Sequence, residues 1–317
     1  MSERFVSQWA RELRGFLAFK RSLGYGYHRE AFTLRVLDRF LVSQGATRSH
    51  RQLDASVLRW LVGRPGRKLI SVAHELCVVR EFYRFLRRSS RRIAPDPPWP
   101  KVSRSSDFVP YILSLDQVRA LIRLTGSLRG AFRRTTYRTL LLVLYCTGLR
   151  FGEALRLRLR DLDLPRATFF ITASKGRSRW VPFHRSLCRH VGRYLTARKA
   201  FAPAGPDDRL FVGANRTRLP APTAGGTICR LVRLAGLKPP SGRSGPRPYD
   251  FRHAFAVHRL TRWYRAGVDL QARLPWLSAS MGHDDLLGTE VYLNATPDLL
   301  ELAGNRFRRC FTRAGQR

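Results

Sequence analysis

A proline-rich stretch, residues 91–110, constrains the fold more than any other feature of the sequence. It reads RRIAPDPPWPKVSRSSDFVP. Proline lacks the backbone N–H that a helix needs, and its ring clashes with the preceding turn, so this stretch cannot continue a helix. We therefore expect a domain boundary here, with one domain over residues 1–95, a linker over residues 96–110 and a second domain over residues 111–317.

Apolar residues before the linker recur at three-to-four spacing, as they do in amphipathic helices. The segments with this spacing are FVSQWARELRGFLAFKRSLGY, HREAFTLRVLDRFLVSQG, ASVLRWLVGR and KLISVAHELCVVREFYRFLRR. They predict a small, basic domain of four short helices. The arginine-rich outer faces fit a nucleic-acid duplex or, equally, a solvated helix bundle, and only the overall charge favours the duplex.

The second domain is expected to be mainly α with a small antiparallel β-hairpin or sheet. SLDQVRALIRL begins with Ser114 and has glutamine three residues later, which is a capping box. A buried helix is predicted at about Tyr137 to Thr147, with Gly148 as its C-cap. ATFFIT, Ala167 to Thr172, can pair with RWVPFH as a hairpin. ALRLRLRDLDL is ambiguous between helix and strand. GTICRLVRLAGL is the one helix expected in the Pro/Gly-rich stretch from Phe201 to Pro248, and the chain from Arg252 onward is expected to be mostly helical.

Charge is the strongest compositional signal. The chain has 59 basic and 22 acidic residues, a formal net charge of +37. Such a field attracts polyanions, and phosphate backbones are the commonest large ones. Most of the basic residues are arginine, which a GC-rich coding bias explains without any function, but that bias does not explain the excess over acid. We therefore expect a nucleic-acid partner and no membrane partner.

The sequence contains neither the pattern of a membrane or secretory segment nor paired cysteines. No apolar run approaches the roughly 18 residues of a membrane span, and the N-terminus lacks a secretory core, which predicts a cytoplasmic protein. The five cysteines are scattered and form no CxxC pair, which argues against a disulfide framework or a zinc site.

Two charged positions of the second domain are candidates for chemistry. Arg150 follows the glycine break in CTGLRFGEAL, and Glu153 is close enough in the chain to orient it. Lys175 lies at the predicted tip of the hairpin, where a mobile ammonium can transfer protons in a way that a guanidinium cannot. Considered one at a time, Arg150 is more commonly explained as a surface arginine and Lys175 as a solvated lysine.

Two further stretches contain histidine. RPYDFRHAFAVH places Arg252 and His253 near a helix start, where anions are favoured. His258 lies five residues beyond His253, a poor spacing for two metal ligands on one helical face, so we predict no metal there.

The stretch GHDDLLGTEVY contains His283 and Tyr292. Nine residues of straight helix turn about 900° and rise about 13.5 Å, which places the two side chains on opposite sides. They can converge only if the chain bends, and we predict that bend at Gly288. Asp284 and Asp285 are expected to cap a helix rather than to bind metal. The simplest alternative for Tyr292 is an aromatic residue packed in a core.

Together these features resemble the tyrosine recombinases, the phage-integrase and Xer-type enzymes that break and rejoin DNA. The family pattern consists of TGLRxxE, a hairpin lysine, an HxLRH box, LGH, and a tyrosine nine residues after that last histidine. The matching residues here are Thr147 to Arg150 with Glu153, Lys175, Tyr249 to His253, Met281 to His283, and Tyr292. The helical first domain resembles the core-binding domain of the family. The resemblance implies a two-domain, C-shaped DNA clamp.

The resemblance also implies a mechanism without metal or cofactor. Tyr292 would attack a phosphate of double-stranded DNA and remain joined to its 3′ side. Arg150 and Arg252 would clamp the non-bridging oxygens, Lys175 would protonate the leaving 5′ oxygen, and His283 would donate a hydrogen bond to the phosphate. Cutting paired sites implies a tetramer on DNA, with companion recombinases in some systems.

Supporting positions follow from the same resemblance. Glu153 and His253 would support the groups that contact the phosphate. Tyr249 occupies the place of the usual histidine, so it either donates a hydrogen bond to the phosphate or marks a slow or impaired enzyme. The spacing from Arg252 to His283 is longer than in Xer proteins and resembles recombinases of mobile elements, which favours integrase or transposase duty.

Two alternatives stay open at the level of the sequence. One is a type IB topoisomerase-like enzyme that nicks and closes DNA by the same chemistry. The other is a non-catalytic, DNA-binding accessory protein of the same fold.

Overall fold

The structure is a computed structural model of the chain that divides into two compact units, Met1–Phe108 and Val109–Arg317. It describes residues 4–45, 49–64, 66–89, 97–102, 110–174, 177–242, 244–283, 287–290, 292, 301, 304 and 308. The expected fold class, mainly α with a small antiparallel sheet, is confirmed. Within these residues no helix is long and apolar enough to cross a membrane.

The first unit contains the four predicted helices, which are α1 (Ala10–Ser22), α2 (His28–Ser43), α3 (His50–Val62) and α4 (Leu69–Ser89). Their apolar faces meet in one core, as the three-to-four spacing requires. Asp38 on α2 fixes the chain before α1, because its carboxylate accepts the backbone N–H groups of Val6 at 2.8 Å and Ser7 at 3.1 Å.

The second unit contains eight helices among the described residues and one three-stranded antiparallel sheet in the order β1–β2–β3. The helices are α5 (Leu115–Leu124), α6 (Ala131–Thr147), α7 (Phe151–Arg156), α8 (Ser186–Phe201), α9 (Ala221–Leu234), α10 (Asp250–Arg265), α11 (Leu270–Met281) and α12 (Leu287–Glu290). The strands are β1 (Leu162–Asp163), β2 (Thr168–Ser174) and β3 (Arg177–Pro182).

Helix α6 is the centre of this unit and packs against α8 and α10. Leu140 and Leu144 on α6 belong to the same core as Phe169 on β2 and Phe251 on α10. The first turn of α10 is therefore held against the end of α6, and both elements bring candidate site residues to one place.

Most of the elements predicted for this unit are present. The capping box of α5 forms in both directions, at 3.2 Å from the Gln117 backbone N–H to the Ser114 hydroxyl and 2.9 Å for the reverse bond. The hairpin of β2 and β3 is confirmed, with Phe169 paired to Val181. The ambiguous segment divides into the end of α7 and the short edge strand β1.

Helix α6 begins at Ala131, earlier than predicted from the apolar run. Its first turns read AFRRTTY and lack a continuous apolar face. The hydroxyl of Thr136 donates to the Phe132 carbonyl at 2.8 Å, so this polar residue is satisfied within the helix.

The turn after α6 predicts a sharp sensitivity at Gly148. Its φ is +63°, and a Cβ built there lies 2.3 Å from the Phe255 ring. Both the left-handed backbone and the overlap penalise a side chain, so Gly148→Ala should lower the free energy of unfolding by about 2–4 kcal/mol. Scanning calorimetry should show a melting temperature several degrees lower.

Gly192→Ala is the matched control, because Gly192 lies within α8 and a Cβ there meets nothing within 4 Å. Alanine is the better helix former, so this variant should melt at or above the wild-type temperature. Equal melting temperatures for the two variants would contradict the conclusion that the turn at Gly148 excludes a side chain.

Candidate active site

Arg150 is oriented by the first turn of α7. Because Gly148 ends α6 in the left-handed conformation, the chain turns there and Arg150 becomes the residue before α7. The Glu153 carboxylate accepts the Arg150 backbone N–H at 2.9 Å and its Nη1 at 2.9 Å. Nη2 of the same guanidinium donates to the Gly282 carbonyl at 2.6 Å. The predicted pairing with Glu153 is therefore present, and it aims Arg150 at the end of α11.

Arg252 is buried, with 1% of its surface exposed. Its Nη1 donates to the Gly148 carbonyl at 2.8 Å, and its Nη2 donates to the Met281 carbonyl at 2.9 Å. Burial lowers the pKa of the Arg252 guanidinium, and the nearby charge of Arg150 lowers it further. Among the described residues, no carboxylate forms an ion pair with Arg252. A positive charge is thus held in place mainly by carbonyl dipoles.

His283 lies between Arg252 and α12. Its Nε2 is 2.8 Å from Arg252 Nη2, and its Nδ1 is 2.6 Å from the hydroxyl of the buried Thr289. A guanidinium can only donate, so Nε2 accepts and the neutral ring carries its proton on Nδ1. This tautomer donates to Thr289.

Tyr292 joins the same group, with 3% of its surface exposed. Its hydroxyl is 3.1 Å from His253 Nδ1, and its ring lies 6.3 Å from that of His283 at an angle of 22°. Burial raises the pKa of the Tyr292 phenol, while the Arg252 guanidinium opposes this rise by its charge and a hydrogen bond. Tyr292 is therefore packed in a core and also presents its hydroxyl to polar groups.

The predicted bend at Gly288 is wrong. Gly288 lies inside α12, whereas α11 ends at Gly282, whose φ is +68°. A Cβ at Gly282 would lie 2.7 Å from the Arg179 guanidinium, so both conformation and space favour glycine there. The chain leaves the helical path of α11 at Gly282, before His283.

Tyr249 and His258 belong to the region of α10. Tyr249 directly precedes the helix and is 40% exposed, and its ring meets the His253 ring edge to face at a centroid distance of 4.9 Å. His258 lies further along α10 and contacts the Tyr145 hydroxyl through Nδ1 at 2.9 Å. Lys175, Asp284 and Asp285 lie outside the described residues.

Sequence reasoning missed Arg179, which holds the other side of Glu153. From β3 its Nη2 donates to Glu153 Oε2 at 2.8 Å and its Nη1 donates to Oε1 at 3.3 Å. Its Nε donates to the Ser280 carbonyl at 2.8 Å. One signal was available in the sequence. Arg179 is two residues from the buried Val181, so alternation along β3 places both on the inner face, where an arginine requires a partner.

This arrangement predicts that Arg179 is essential for the stability of the site. Arg179→Ala leaves the Glu153 carboxylate, whose side chain is 1% exposed, with one guanidinium partner fewer. Breaking a buried ion pair costs about 3–5 kcal/mol. We expect a melting temperature several degrees lower in scanning calorimetry.

Arg166→Ala serves as the comparison, because Arg166 pairs with Asp163 at the surface, where its side chain is 80% exposed. Such pairs contribute about 0–1 kcal/mol, so this variant should melt close to wild type. A small effect of both substitutions would mean that Arg179 does not support the site.

Comparison with known proteins relates the chain to one family. The sequence profile of the phage integrase family matches residues 112–298. The protein named "Putative integrase/recombinase y4rB" of Sinorhizobium fredii is 30% identical over 96% of this chain and 98% of its own length. Tyrosine recombinase XerC of Alcanivorax borkumensis is 28% identical over 84% of this chain and 81% of its own.

A similar fold is found in a solved structure of the Tn1549 transposon integrase in complex with circular intermediate DNA. The TM-score is 0.67 at 18% identity, and the match covers 93% of this chain and 99% of the other. The match of more than half the chain to the family profile, together with the full-length relative, confirms the resemblance seen in the motifs. The chain therefore belongs to the phage integrase family of tyrosine recombinases and is an enzyme of the site-specific DNA breaking-rejoining class.

Proposed function

We propose that the chain is the integrase or transposase of a mobile element, which cuts and rejoins double-stranded DNA through a 3′-phosphotyrosine intermediate. One observation carries the proposal. Arg150 and Arg252 donate to the consecutive carbonyls of Gly282 and Met281, so their guanidinium groups lie close together. Arg252 is also near enough to Tyr292 for its charge to lower the pKa of that phenol. A nucleophile and two phosphate-binding groups therefore share one small site.

The two guanidinium groups suit the charge that develops during the reaction. Each presents several N–H donors in a planar fork that matches the oxygens of a phosphate. As Tyr292 attacks, negative charge grows on the non-bridging oxygens, and donors fixed in advance stabilise that charge without reorganisation. Arg150 and Arg252 would hold these oxygens, while Glu153 keeps Arg150 in position.

Proton transfer requires further groups. Lys175 would protonate the leaving 5′ oxygen, because an ammonium can give up a proton and a guanidinium cannot. His283 would donate a hydrogen bond to the phosphate, which requires a proton on its Nε2. A bound anion favours that protonated, cationic form of the ring.

Tyr249 would contribute a hydrogen bond from its hydroxyl. It borders the site through its edge-to-face contact with His253 and is 40% exposed, so it is accessible to a bound phosphate. A neutral phenol can donate to phosphate in place of the usual histidine. In this proposal Tyr249 is a working replacement rather than a sign of lost activity.

The net charge of the chain and its similarity to known proteins support a DNA substrate and duty in a mobile element. The excess of basic residues suits double-stranded DNA, and residues 1–95 would act as the core-binding domain. The long spacing from Arg252 to His283 and the similarity to a transposon integrase support duty in a mobile element. Exchange between two duplexes would proceed in a tetramer on cytoplasmic DNA, with or without companion recombinases.

Covalent capture tests the proposed function without knowledge of the target site. Cells that express the chain and carry its flanking DNA are lysed in denaturing detergent, and DNA that remains bound to the protein is recovered and sequenced. Wild type should yield adducts at a defined sequence, and Tyr292→Phe should yield none. Tyr264→Phe, which changes a tyrosine in the last turn of α10, should behave as wild type.

The products separate the alternatives. A 3′ linkage should protect the adducts from a 3′ exonuclease and leave them open to a 5′ exonuclease. Strand exchange between two marked duplexes supports a recombinase, whereas relaxation without exchange supports a topoisomerase-like enzyme. Absence of adducts from wild type, or their persistence in Tyr292→Phe, would overturn the catalytic proposal.

The role of Tyr249 gives a separate prediction. A hydrogen bond to a charged group contributes about 1.5–3 kcal/mol, so Tyr249→Phe should slow adduct formation at the recovered site by about 10- to 150-fold. Tyr249→His should leave the rate similar to wild type, because histidine can also donate. A large gain from Tyr249→His would show instead that the tyrosine impairs the enzyme.

A further inference from the structure

The Tyr292 hydroxyl, the His253 imidazole and the Asp250 carboxylate are consecutive neighbours in the site. The Tyr292 hydroxyl lies 3.1 Å from His253 Nδ1. On the opposite side of the same ring, His253 Nε2 lies 3.8 Å from Asp250 Oδ1. All three side chains are nearly excluded from solvent, since Tyr292 is 3% exposed, His253 9% and Asp250 1%. A nucleophile, a base and a group that orients the base have this same order in hydrolytic triads.

The contact with His253 sets the direction in which Tyr292 donates. Arg252 lies near enough for its positive charge to lower the pKa of the Tyr292 phenol, and this charge disfavours an O–H that points toward the guanidinium. The phenol O–H instead points at His253 Nδ1, 3.1 Å away. That atom accepts when the neutral ring carries its proton on Nε2, toward Asp250.

The other histidine of the site is not arranged to accept this proton. Both ring nitrogens of His283 are engaged, Nε2 with Arg252 and Nδ1 with Thr289. The His283 ring lies beside the Tyr292 ring at a centroid distance of 6.3 Å rather than in line with its hydroxyl. Tyr249, the other group that contacts His253, presents a phenol rather than an imidazole.

We infer that His253 is the general base that takes the proton from Tyr292 as this hydroxyl attacks the DNA phosphate, and that Asp250 positions the His253 ring. The inference rests on the proposed function. The Tyr292 Oη–H bond breaks, its proton moves to His253 Nδ1, and Oη forms a bond to phosphorus. The bond from phosphorus to the 5′ oxygen breaks, and Lys175 gives that oxygen a proton. In rejoining, each proton returns by the reverse path.

The surroundings of His253 suit a base that works near neutral pH. Burial lowers the pKa of the His253 imidazole, Asp250 raises it, and Arg247 and Arg252 lower it. The net lowering keeps the ring neutral and able to accept. Once charged, the imidazolium faces the Asp250 carboxylate through Nε2, and that nitrogen has no hydrogen-bond partner within the described part of the chain. The Asp250 carboxylate is itself held by the Arg247 backbone N–H at 2.6 Å.

His253→Asn separates proton transfer from positioning. The asparagine side-chain oxygen can accept a hydrogen bond near the place of Nδ1, but it does not take up a proton at neutral pH. On a nicked duplex carrying the sequence recovered by covalent capture, we expect His253→Asn to form the adduct about 100-fold more slowly than wild type, the usual scale of general-base catalysis. A rate within about threefold of wild type would reduce His253 to a positioning residue and overturn the inference.

His258→Asn is the matched control. His258 lies on the same helix, and burial lowers its pKa as it does for His253, but its Nδ1 contacts Tyr145 instead of Tyr292. This variant should retain the wild-type rate. An equal loss in both variants would mean that damage to α10 explains the result, and it would overturn the assignment to His253.

A second substrate separates activation of the nucleophile from protonation of the leaving group. With sulfur in place of the bridging 5′ oxygen, the leaving group departs without a proton. Lys175→Ala should then recover most of its activity, whereas His253→Asn should stay slow. Recovery of His253→Asn on the sulfur substrate would assign His253 to the leaving group and overturn the inference.

The pH dependence of wild type on the sulfur substrate gives the last readout. Protonated His253 cannot accept, so the rate should rise with pH through a pKa below the ordinary value of about 6.5 and then stay level to pH 9. A steady rise of about tenfold per pH unit up to pH 9 would show that solution base takes the proton instead. Wild type that forms no adduct with either substrate would contradict the proposed function itself, whereas an active wild type with a fast His253→Asn contradicts only the role of His253.

Discussion

A buried guanidinium organises the second unit. Arg252 lies on the first turn of α10 and donates to the Gly148 carbonyl after α6 and to the Met281 carbonyl at the end of α11. Taking an ion out of water costs several kcal/mol, and carbonyl dipoles offset this only in part. The core of α6 and α10 must therefore hold Arg252 in place, and the positions of His283 and Tyr292 depend on that packing.

The distribution of acidic groups explains why this costly arrangement is useful. Within the described residues, Glu153 is the one carboxylate paired with Arg150 and Arg179, while Asp250 pairs with Arg247 and His253. The site thus carries an excess of positive charge shielded from water. In such surroundings a phosphate gains far more from each donor than it would in solvent. In the proposed function, this local loss of stability is the cost of affinity toward a phosphate.

The sequence predicted the parts of the site that depend on local pattern. Gly148 followed by Arg150 and Glu153 could be placed because a helix cap and its first turn are set by neighbouring residues. The role of Arg179 and the turn at Gly282 were not predicted, because contacts across the unit contribute to both. Gly282 has a φ of +68°, and the guanidinium of Arg179, from a distant strand, also occupies the space of a Cβ there. The bend was therefore assigned to Gly288, a glycine that α12 accommodates without a turn.

In the proposed mechanism, phosphate binding and activation of Tyr292 depend on the same positive charge. Burial raises the pKa of Tyr292 in the structure, and the Arg252 guanidinium opposes that rise. A phosphodiester held by Arg252 brings a negative charge beside the phenol, which partly cancels the help that Arg252 gives and makes the phenolate harder to form. The need for a base is therefore greatest when the substrate is in place. In the inferred mechanism His253 Nδ1, 3.1 Å from the Tyr292 hydroxyl, accepts that proton.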